Sequence, residues 1–449
     1  MSTVFQILTL LGALGMFLYG MTLMSEGLQK VAGSRLRSIL SAMTANSFTR
    51  ILTGTLITAI IQSSSATTVM IVSFVNAGLL SLTQAVGVIM GANIGTTVTS
   101  WLISLLGFTA DISTLSIPLI GIGFAFMMFK SQKRKNIGEM IIGFAMLFLG
   151  LSFLKDSVPD LSTNPEAIAF IQRWTDWGFF SVLIFVLVGT VMTIVLQSSS
   201  ATVALTLVMA SQGWIPFEMA AAMVLGENIG TTITANIAAS VGNISAKRAA
   251  LAHTVFNVFG VIWVLALYKP FLWLVSKIVV GLGGEDPFVS SASLLYAIST
   301  VHTLFNLLNT CILVWFTPQI VKFVTWVLKG HKDEEEVFRL RYIQGGMMST
   351  AELSLEQAEQ EVVHFSEIVK KQYRYARQAV NEADDENRFD ELFKKLEHYE
   401  QITDRIEFEI AKYLSNIRES DLSQEGTNKL QAMYKIISEL ESMGDSGFN

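Results

Sequence analysis

Apolar stretches of about 20 residues follow one another through the first three-quarters of the chain and then stop. Such a length crosses the ~30 Å hydrocarbon core of a bilayer as helix. On that rule full crossings are predicted over 4–25, 84–107, 112–130, 137–155, 219–241, 251–269 and 292–317. Two further apolar stretches, 51–80 and 186–215, are each cut by a polar run: Gln62-Ser63-Ser64-Ser65 and Gln197-Ser198-Ser199-Ser200. From Ile51 to Gln62 the chain advances 11 residues, about 16 Å of helix at 1.5 Å per residue. That reaches half-way through the core. The pattern therefore predicts two re-entrant hairpins, each made of two half-helices meeting at mid-depth. Beyond residue 350 the pattern becomes amphipathic. Leu355, Ala358, Val362, Phe365, Val369, Tyr373, Ala376 and Val380 keep a three-or-four spacing, as do Leu392, Leu396, Tyr399, Ile402, Ile406, Ile410, Tyr413 and Ile417, and then Leu430, Met433, Ile437 and Leu440. This predicts a three-helix bundle with one apolar stripe per helix. The fold class expected is all-α: a polytopic membrane domain over 1–330, a linker over 331–350 and a helical bundle over 351–449.

Composition sharpens the division. Of the 449 residues 51% are hydrophobic and 15% charged, and the mean hydropathy is +0.50. Residues 1–330 hold 16 Lys/Arg and 11 Asp/Glu, net +5, and residues 331–449 hold 15 and 26, net −11. Neither part has a long basic run, so a nucleic-acid partner is excluded. Cys311 is the only cysteine, which excludes a disulfide framework. The stretch Val4–Met24 has no basic residues before it and is long enough to span, so it reads as a crossing and not a cleaved leader. With the N-terminus outside and both hairpins returning to their own side, Lys30, Arg35, Arg37, Arg50, the KSQKRK run over 130–135, Lys247, Arg248, Lys322 and Lys329 fall inside. Lys155, Arg173, Lys269 and Lys277 fall outside. That bias is the positive-inside rule, and it places the acidic bundle in the cytoplasm of a multi-pass protein of the cell (inner) membrane.

The membrane part repeats itself. Residues 54–99 align without a gap on 189–234, with 18 identities in 46 positions at an offset of 135. They include QSSSAT at 62–67 and 197–202 and NIGTT at 93–97 and 228–232. The likeness extends back to Met16 and Gly20, which match Met146 and Gly150. Repeat one covers about 4–130 and repeat two about 137–269, with an extra helix near 292–317. Each unit has three crossings and one hairpin, so the second is inverted relative to the first, as in secondary transporters with a midplane site on broken helices. Gln84 to Asn93 spans 9 residues, about 14 Å of helix. The NIGTT stretches are therefore expected at mid-depth too, as further helix breaks.

Such a place suits an oxyanion and a hard cation. A half-helix starting after the serines points free N–H groups and a positive dipole end at the midplane. Serine and threonine hydroxyls can donate to the same anion, while Gln, Asn and Thr oxygens suit Na⁺. No Lys or Arg lies at mid-depth, so a co-bound cation is needed. Glu227 is the one carboxylate expected there, and an ionisable group at that depth is functional by default. Small residues also serve plain helix packing, but two copies of the paired motifs argue against packing alone. His253 and His302 lie on apolar faces, where packing histidines are commoner than ligands. No GxSxG, HExxH or Walker loop is present, and neither QSSS run has a nearby histidine base, so no catalytic residue is assigned and no enzyme is expected.

QSSSAT followed by MGANIGTT, and again by LGENIGTT, resembles the type II sodium–phosphate cotransporter family over about 50–310. The resemblance implies a sodium and phosphate pathway through Gln62, Ser63, Ser64, Ser65 and Thr67, with Asn93 and Thr96, and through Gln197, Ser198, Ser199, Ser200 and Thr202, with Asn228 and Thr231; Glu227 joins this set on its expected depth. Ala92 stands where the second repeat has Glu227. HTVFN (253–257) and HTLFN (302–306) both follow the second unit and none follows the first. In the bundle, HYEQITDRIE (398–407) and LESMGDS (440–446) resemble PhoU-like regulators of phosphate uptake. That likeness implies a divalent or transition metal on Glu400, Asp404, Glu441 and Asp445, whose i, i+4 spacing puts each pair on one helix face. It also implies a second bundle, which this sequence does not contain.

The function expected is sodium-coupled transport of inorganic phosphate across the lipid bilayer by alternating access. The implied partners are phosphate, sodium ions and a phosphate-signalling protein or a second copy of the chain. Export by the same fold is the nearest alternative, and a non-transporting phosphate sensor is the alternative from another class. Only a transporter gives sodium-dependent flux into sealed vesicles.

Overall fold

The computed structural model describes residues 3–41, 46–76, 80–109, 112–157, 173–329, 340, 342–343, 351–382, 386–419 and 422–448. The expected linker over 331–350 lies almost wholly outside them. The protein divides into two compact units, one of Met1–Val75, Leu80–Ser240 and Ile244–Lys329, the other including Gly330–Asn449. Among the described residues every regular element is helical.

The first unit holds α1 (Thr3–Ser41), α2 (Ser47–Ile61), α3 (Ser64–Asn76), α4 (Leu82–Leu102), α5 (Ser113–Met127), α6 (Gln132–Ser157), α7 (Phe179–Leu196), α8 (Ser199–Ser211), α9 (Phe217–Gly230), α10 (Thr232–Ser240), α11 (Ile244–Ala266), α12 (Tyr268–Gly281), α13 (Leu294–Leu313) and α14 (Thr317–Val327). Six segments are long and apolar enough to cross a bilayer: Phe5–Val31, Leu82–Phe108, Gln132–Ser157, Phe179–Leu196, Ile244–Ala266 and Ser291–Val327. Their outer faces are apolar. Ile262 is 60% exposed, Val195 73% and Trp315 81%; a surface of this kind needs lipid and not water. This is a membrane protein.

Both QSSS stretches break their helix where the polar pattern predicts. The outcome differs from expectation in three places. First, α7 has 18 residues, about 27 Å, because the exposed Phe179 and Phe180 extend it beyond the half-helix expected over 186–196. Second, α4 runs unbroken through Gly91–Thr97. The hydroxyls of Thr96 and Thr97 donate back to the carbonyls of Ala92 and Ile94, at 3.0 and 2.8 Å, inside an intact turn. In repeat two a single turn residue, Thr231, separates α9 from α10, so 219–241 is two helices. Third, α5 has 15 residues, Ser113–Met127, with Pro118 inside it, and is shorter than the crossing expected over 112–130.

Contacts recur in pairs, and the pairing reveals an internal two-fold. A Cβ at Gly20 would meet the backbone of Met146 and Leu147 on α6, and one at Gly150 would meet Met16 and Phe17 on α1. At the repeat offset of 130 these are the same contact taken in both directions. Such reciprocity arises only about a two-fold axis. Within each repeat, a Cβ at Gly54 would run into the Val88 carbonyl and one at Gly91 into the Ile51 carbonyl. Their mates do likewise: Gly189 against Met223 and Gly226 against Val186. Small residues let these backbones touch, which is how helices gain packing energy in lipid.

The last four helices obey the same axis at an offset of 49. Asn309 Nδ2 donates to the Phe256 carbonyl at 3.0 Å, while Gly260 packs against Phe305 and Asn309. Trp101 Nε1 donates to Thr303 Oγ1 at 2.8 Å, and its mate Asn236 Nδ2 donates to Thr254 Oγ1 at 2.8 Å. Thus HTVFN on α11 and HTLFN on α13 form a repeat pair of their own. This accounts for two copies after the second unit and none after the first.

The second unit contains α15 (Ala351–Asn381), α16 (Glu386–Ser415) and α17 (Gln424–Phe448). They bury Leu355, Val362, Phe365, Ile406, Ile410, Leu430, Met433 and Ile437 together, as the spacing predicts, but Tyr373 and Val380 at the far end of the first stripe are exposed.

Replacing Gly91 or Gly226 with Leu should separate the helices of that repeat. We expect roughly 1–3 kcal/mol of destabilisation per site, read as a lower unfolding temperature and earlier aggregation of the detergent-solubilised protein. Gly15, which faces open space, should tolerate the same change.

Candidate functional site

The break in each repeat is built by one glutamine. Gln62 has φ 55° and Gln197 φ 52°, the only non-glycine residues with positive φ among those described. This left-handed conformation strains an L residue, but it ends the helix and frees its last carbonyls. The side chain then satisfies what the break exposes. Gln62 Nε2 donates to the Ala59 carbonyl at 2.6 Å, and Gln197 Nε2 to that of Ile194 at 2.6 Å. The amide oxygen accepts from a threonine on the facing helix: Thr99 to Gln62 at 2.9 Å and Thr234 to Gln197 at 3.3 Å. A primary amide is both donor and acceptor, which explains glutamine at this position.

The serines divide by role. Ser63 and Ser198 are caps, their hydroxyls accepting the N–H of Ala66 and of Ala201 at 3.2 Å. Thr67 and Thr202 lock the two halves of the break: Thr58 Oγ1 donates to Thr67 Oγ1, and Thr193 Oγ1 to Thr202 Oγ1, both at 3.0 Å. Among the described residues, the hydroxyls of Ser64, Ser65, Ser199 and Ser200 make no such bond. They stand at the N-termini of the 13-residue helices α3 and α8, where the first N–H groups have no intrahelical partner. Free hydroxyls and free N–H groups at a helix start are donors of the kind an anion takes.

On the facing helices, Asn93 and Asn228 donate Nδ2 to the carbonyls one turn back, Ile89 at 3.0 Å and Val224 at 2.7 Å. Thr231 Oγ1 donates to the Glu227 carbonyl at 2.9 Å. Asn93, Thr96, Asn228, Thr231 and Glu227 are all buried. Helix α8 of the second repeat packs on α4 of the first as well as on α9 and α13. The two QSSS runs are not hydrogen-bonded to each other. Exposure differs between mates: Gln62 is buried and Gln197 exposed.

Sequence reasoning singled out neither Thr99 nor Thr234, although their identity at the repeat offset was a usable signal. It also missed Ser25 on α1, whose hydroxyl donates to the Ile61 carbonyl, the last of α2. Nothing in the primary pattern marks that contact.

In the bundle, carboxylate oxygens of Glu400, Asp404 and Asp445 all lie within 4.8 Å of one another. Glu441, expected beside them, is outside this trio. Burial, then the neighbouring Asp445, pushes the Glu400 carboxyl up to about 7; burial and Asp445 also raise that of Glu441. Three carboxylates with one titrating near neutrality suit a hard or borderline cation.

The comparisons follow this geometry. The family model described as Na⁺/Pi-cotransporter matches residues 16–156 and 166–284, and that described as PhoU domain matches 362–449. The Escherichia coli K12 protein named "Putative inorganic phosphate export protein YjbB" is 25% identical over 441 residues, 98% of this chain and 76% of that protein. "Uncharacterized protein YqeW" of Bacillus subtilis is 33% identical over 298 residues, 65% of this chain and 92% of that protein. Rat "Sodium-dependent phosphate transport protein 2A" is 38% identical over 101 residues, 22% of this chain and 16% of that protein. No solved structure matches.

The acidic trio makes a pH prediction. The Glu400 carboxyl is raised, so its stabilising protonated form is fully present below the unfolded value of about 4.3 and is lost as pH rises through about 7. Hydrogen-exchange protection of α15–α17 in the full chain should fall over that window, once corrected for intrinsic exchange. Glu400→Gln should flatten the fall.

Proposed function

The chain belongs to the Na⁺/Pi-cotransporter family, and we propose that it carries inorganic phosphate across the cell membrane, coupled to sodium, by alternating access of its two inverted halves. The observation that carries this reading is the duplicated break. Each repeat presents two uncommitted serine hydroxyls and free N–H groups at a helix start, with a buried Asn and Thr on the facing helix. A phosphate oxyanion fits donors of that kind. Neither QSSS nor NIGTT contains Lys or Arg, so sodium supplies the compensating charge. The pathway comprises Gln62, Ser63, Ser64, Ser65, Thr67, Asn93 and Thr96 with Gln197, Ser198, Ser199, Ser200, Thr202, Glu227, Asn228 and Thr231, the caps and locks holding the open hydroxyls in position.

In this reading both breaks are re-entrant, the N-terminus is outside, and the PhoU domain is cytoplasmic. There it responds to phosphate through a metal on Glu400, Asp404 and Asp445, acting on a phosphate-signalling protein or a second copy of the chain. A second reading, net export, draws on the printed name of the bacterial relatives. The same site serves both directions, since gradients set the net flow.

Radiolabelled phosphate should accumulate in proteoliposomes only when a sodium gradient is imposed; equal uptake without sodium would reject the coupling. Ser64→Ala or Ser199→Ala should each raise the phosphate concentration for half-maximal flux about tenfold or more, as for loss of a hydrogen bond to a charged ligand. A bulky residue at either position should abolish flux.

Topology has its own check. A single cysteine at Thr49, with Cys311 replaced, should label from the inside only, and one at Trp177 from the outside only. Labelling of both from one face would reject the inverted arrangement.

A further inference from the structure

Glu227 has no hydrogen-bond partner on either carboxylate oxygen and is 0% exposed. Among the described residues no lysine or arginine lies within ion-pair reach; the nearest basic atom is His302 Nδ1 on α13, 3.9 Å from Oε1. That Nδ1 is itself unpartnered, and His302 is 1% exposed. One turn along α13, Asn306 donates Nδ2 to Asn228 Oδ1 at 3.2 Å and to the His302 carbonyl at 3.0 Å. Its own Oδ1 is buried and unpartnered. A carboxylate and an amide oxygen thus lie unsatisfied on facing helices, and a buried charge without a counter-charge is costly. Helix α13 lies outside the QSSS–NIGTT repeats.

The internal two-fold adds the decisive contrast. It carries Glu227 onto Ala92, His302 onto His253 and Asn306 onto Asn257. The packing agrees: Val86 and Met90 meet Ala252 and Phe256 in one half, and their mates Ala221, Leu225, Val301 and Phe305 share a core in the other. His253 and Asn257 are equally buried, with both His253 nitrogens and Asn257 Oδ1 unpartnered. The first half therefore has the same histidine and asparagine without the carboxylate.

We propose that Glu227, Asn306 and the wall formed by His302 make a sodium site, present in the second half only and completed by α13. Hard cations prefer oxygen donors, and a single carboxylate balances one positive charge and not two. His302 borders the carboxylate at 3.9 Å without a hydrogen bond to it and is not a ligand. The proposal rests on the transport reading for its role, but the binding itself does not need phosphate or flux.

The test is equilibrium binding of radioactive sodium to the purified full chain in lipid nanodiscs, without phosphate. The wild type should bind saturably. Glu227→Gln, which keeps the shape, should remove one sodium per chain or weaken that equivalent at least about tenfold. Asn306→Ala should weaken it several-fold and serves if Glu227→Gln does not fold. Glu227→Asp, which keeps the charge, should retain binding. His302→Asn should leave sodium bound within a few-fold. Unchanged sodium binding in Glu227→Gln and in Asn306→Ala overturns the proposal. Sodium binding that is absent in the wild type and appears in His302→Asn also overturns it, because His302 would then be the imidazolium counter-charge. A wild type that binds sodium through Glu227 but moves no phosphate would leave this site standing and remove the transport reading.

Discussion

In hydrocarbon every backbone N–H and C=O needs a partner inside the protein, and the breaks at Gln62 and Gln197 meet that demand while exposing donors. A helix interrupted in lipid leaves carbonyls at one end and N–H groups at the other. The glutamine amide closes the carbonyl side by bonding back to Ala59 or Ile194 and across to Thr99 or Thr234. The N–H side is closed only in part, by the capping serine. The other donors remain open. Stability and binding capacity come from the same interruption, one end sealed and the other left free.

Sealing works only if the facing helix is close. The threonines reach the amide because Gly54, Gly91 and their mates bring α2 onto α4 and α7 onto α9 backbone to backbone. Thr55 and Thr190 sit in the same seams, donating to the Gly91 and Gly226 carbonyls at 3.1 and 2.9 Å. In each repeat the helix before the break is thus clamped to the helix that carries NIGTT. Two such clamps related by a two-fold axis can rock against each other without changing internally, the kind of motion inverted repeats support.

The symmetry is kept in the helix contacts and broken in the chemistry. Hydroxyls, amides and glycines recur in both halves, while the carboxylate occurs once. The position that holds Glu227 in one half holds Ala92 in the other, and both are buried.

Much of this was legible in the sequence. Apolar runs, the split at two polar stretches and the offset of 135 gave an all-α membrane fold with paired motifs, because hydrocarbon thickness and backbone saturation act on local pattern. The acidic, amphipathic bundle was legible for the same reason: spacing alone decides which face is buried. Other features depended on tertiary packing. Which hydroxyls cap, which lock the break and whether NIGTT interrupts its helix were read from the hydrogen bonds of the fold and not from the pattern. Reciprocity between Gly20 and Gly150, and between Phe256 and Phe305, showed that HTVFN and HTLFN are mates. Those residues are 49 apart, a relation that only folding converts into contact. Glu227 was visible as a carboxylate in an apolar run, but its neighbour His302 is 75 residues away in sequence. Periodicity reports the face a residue occupies and not which distant helix that face meets.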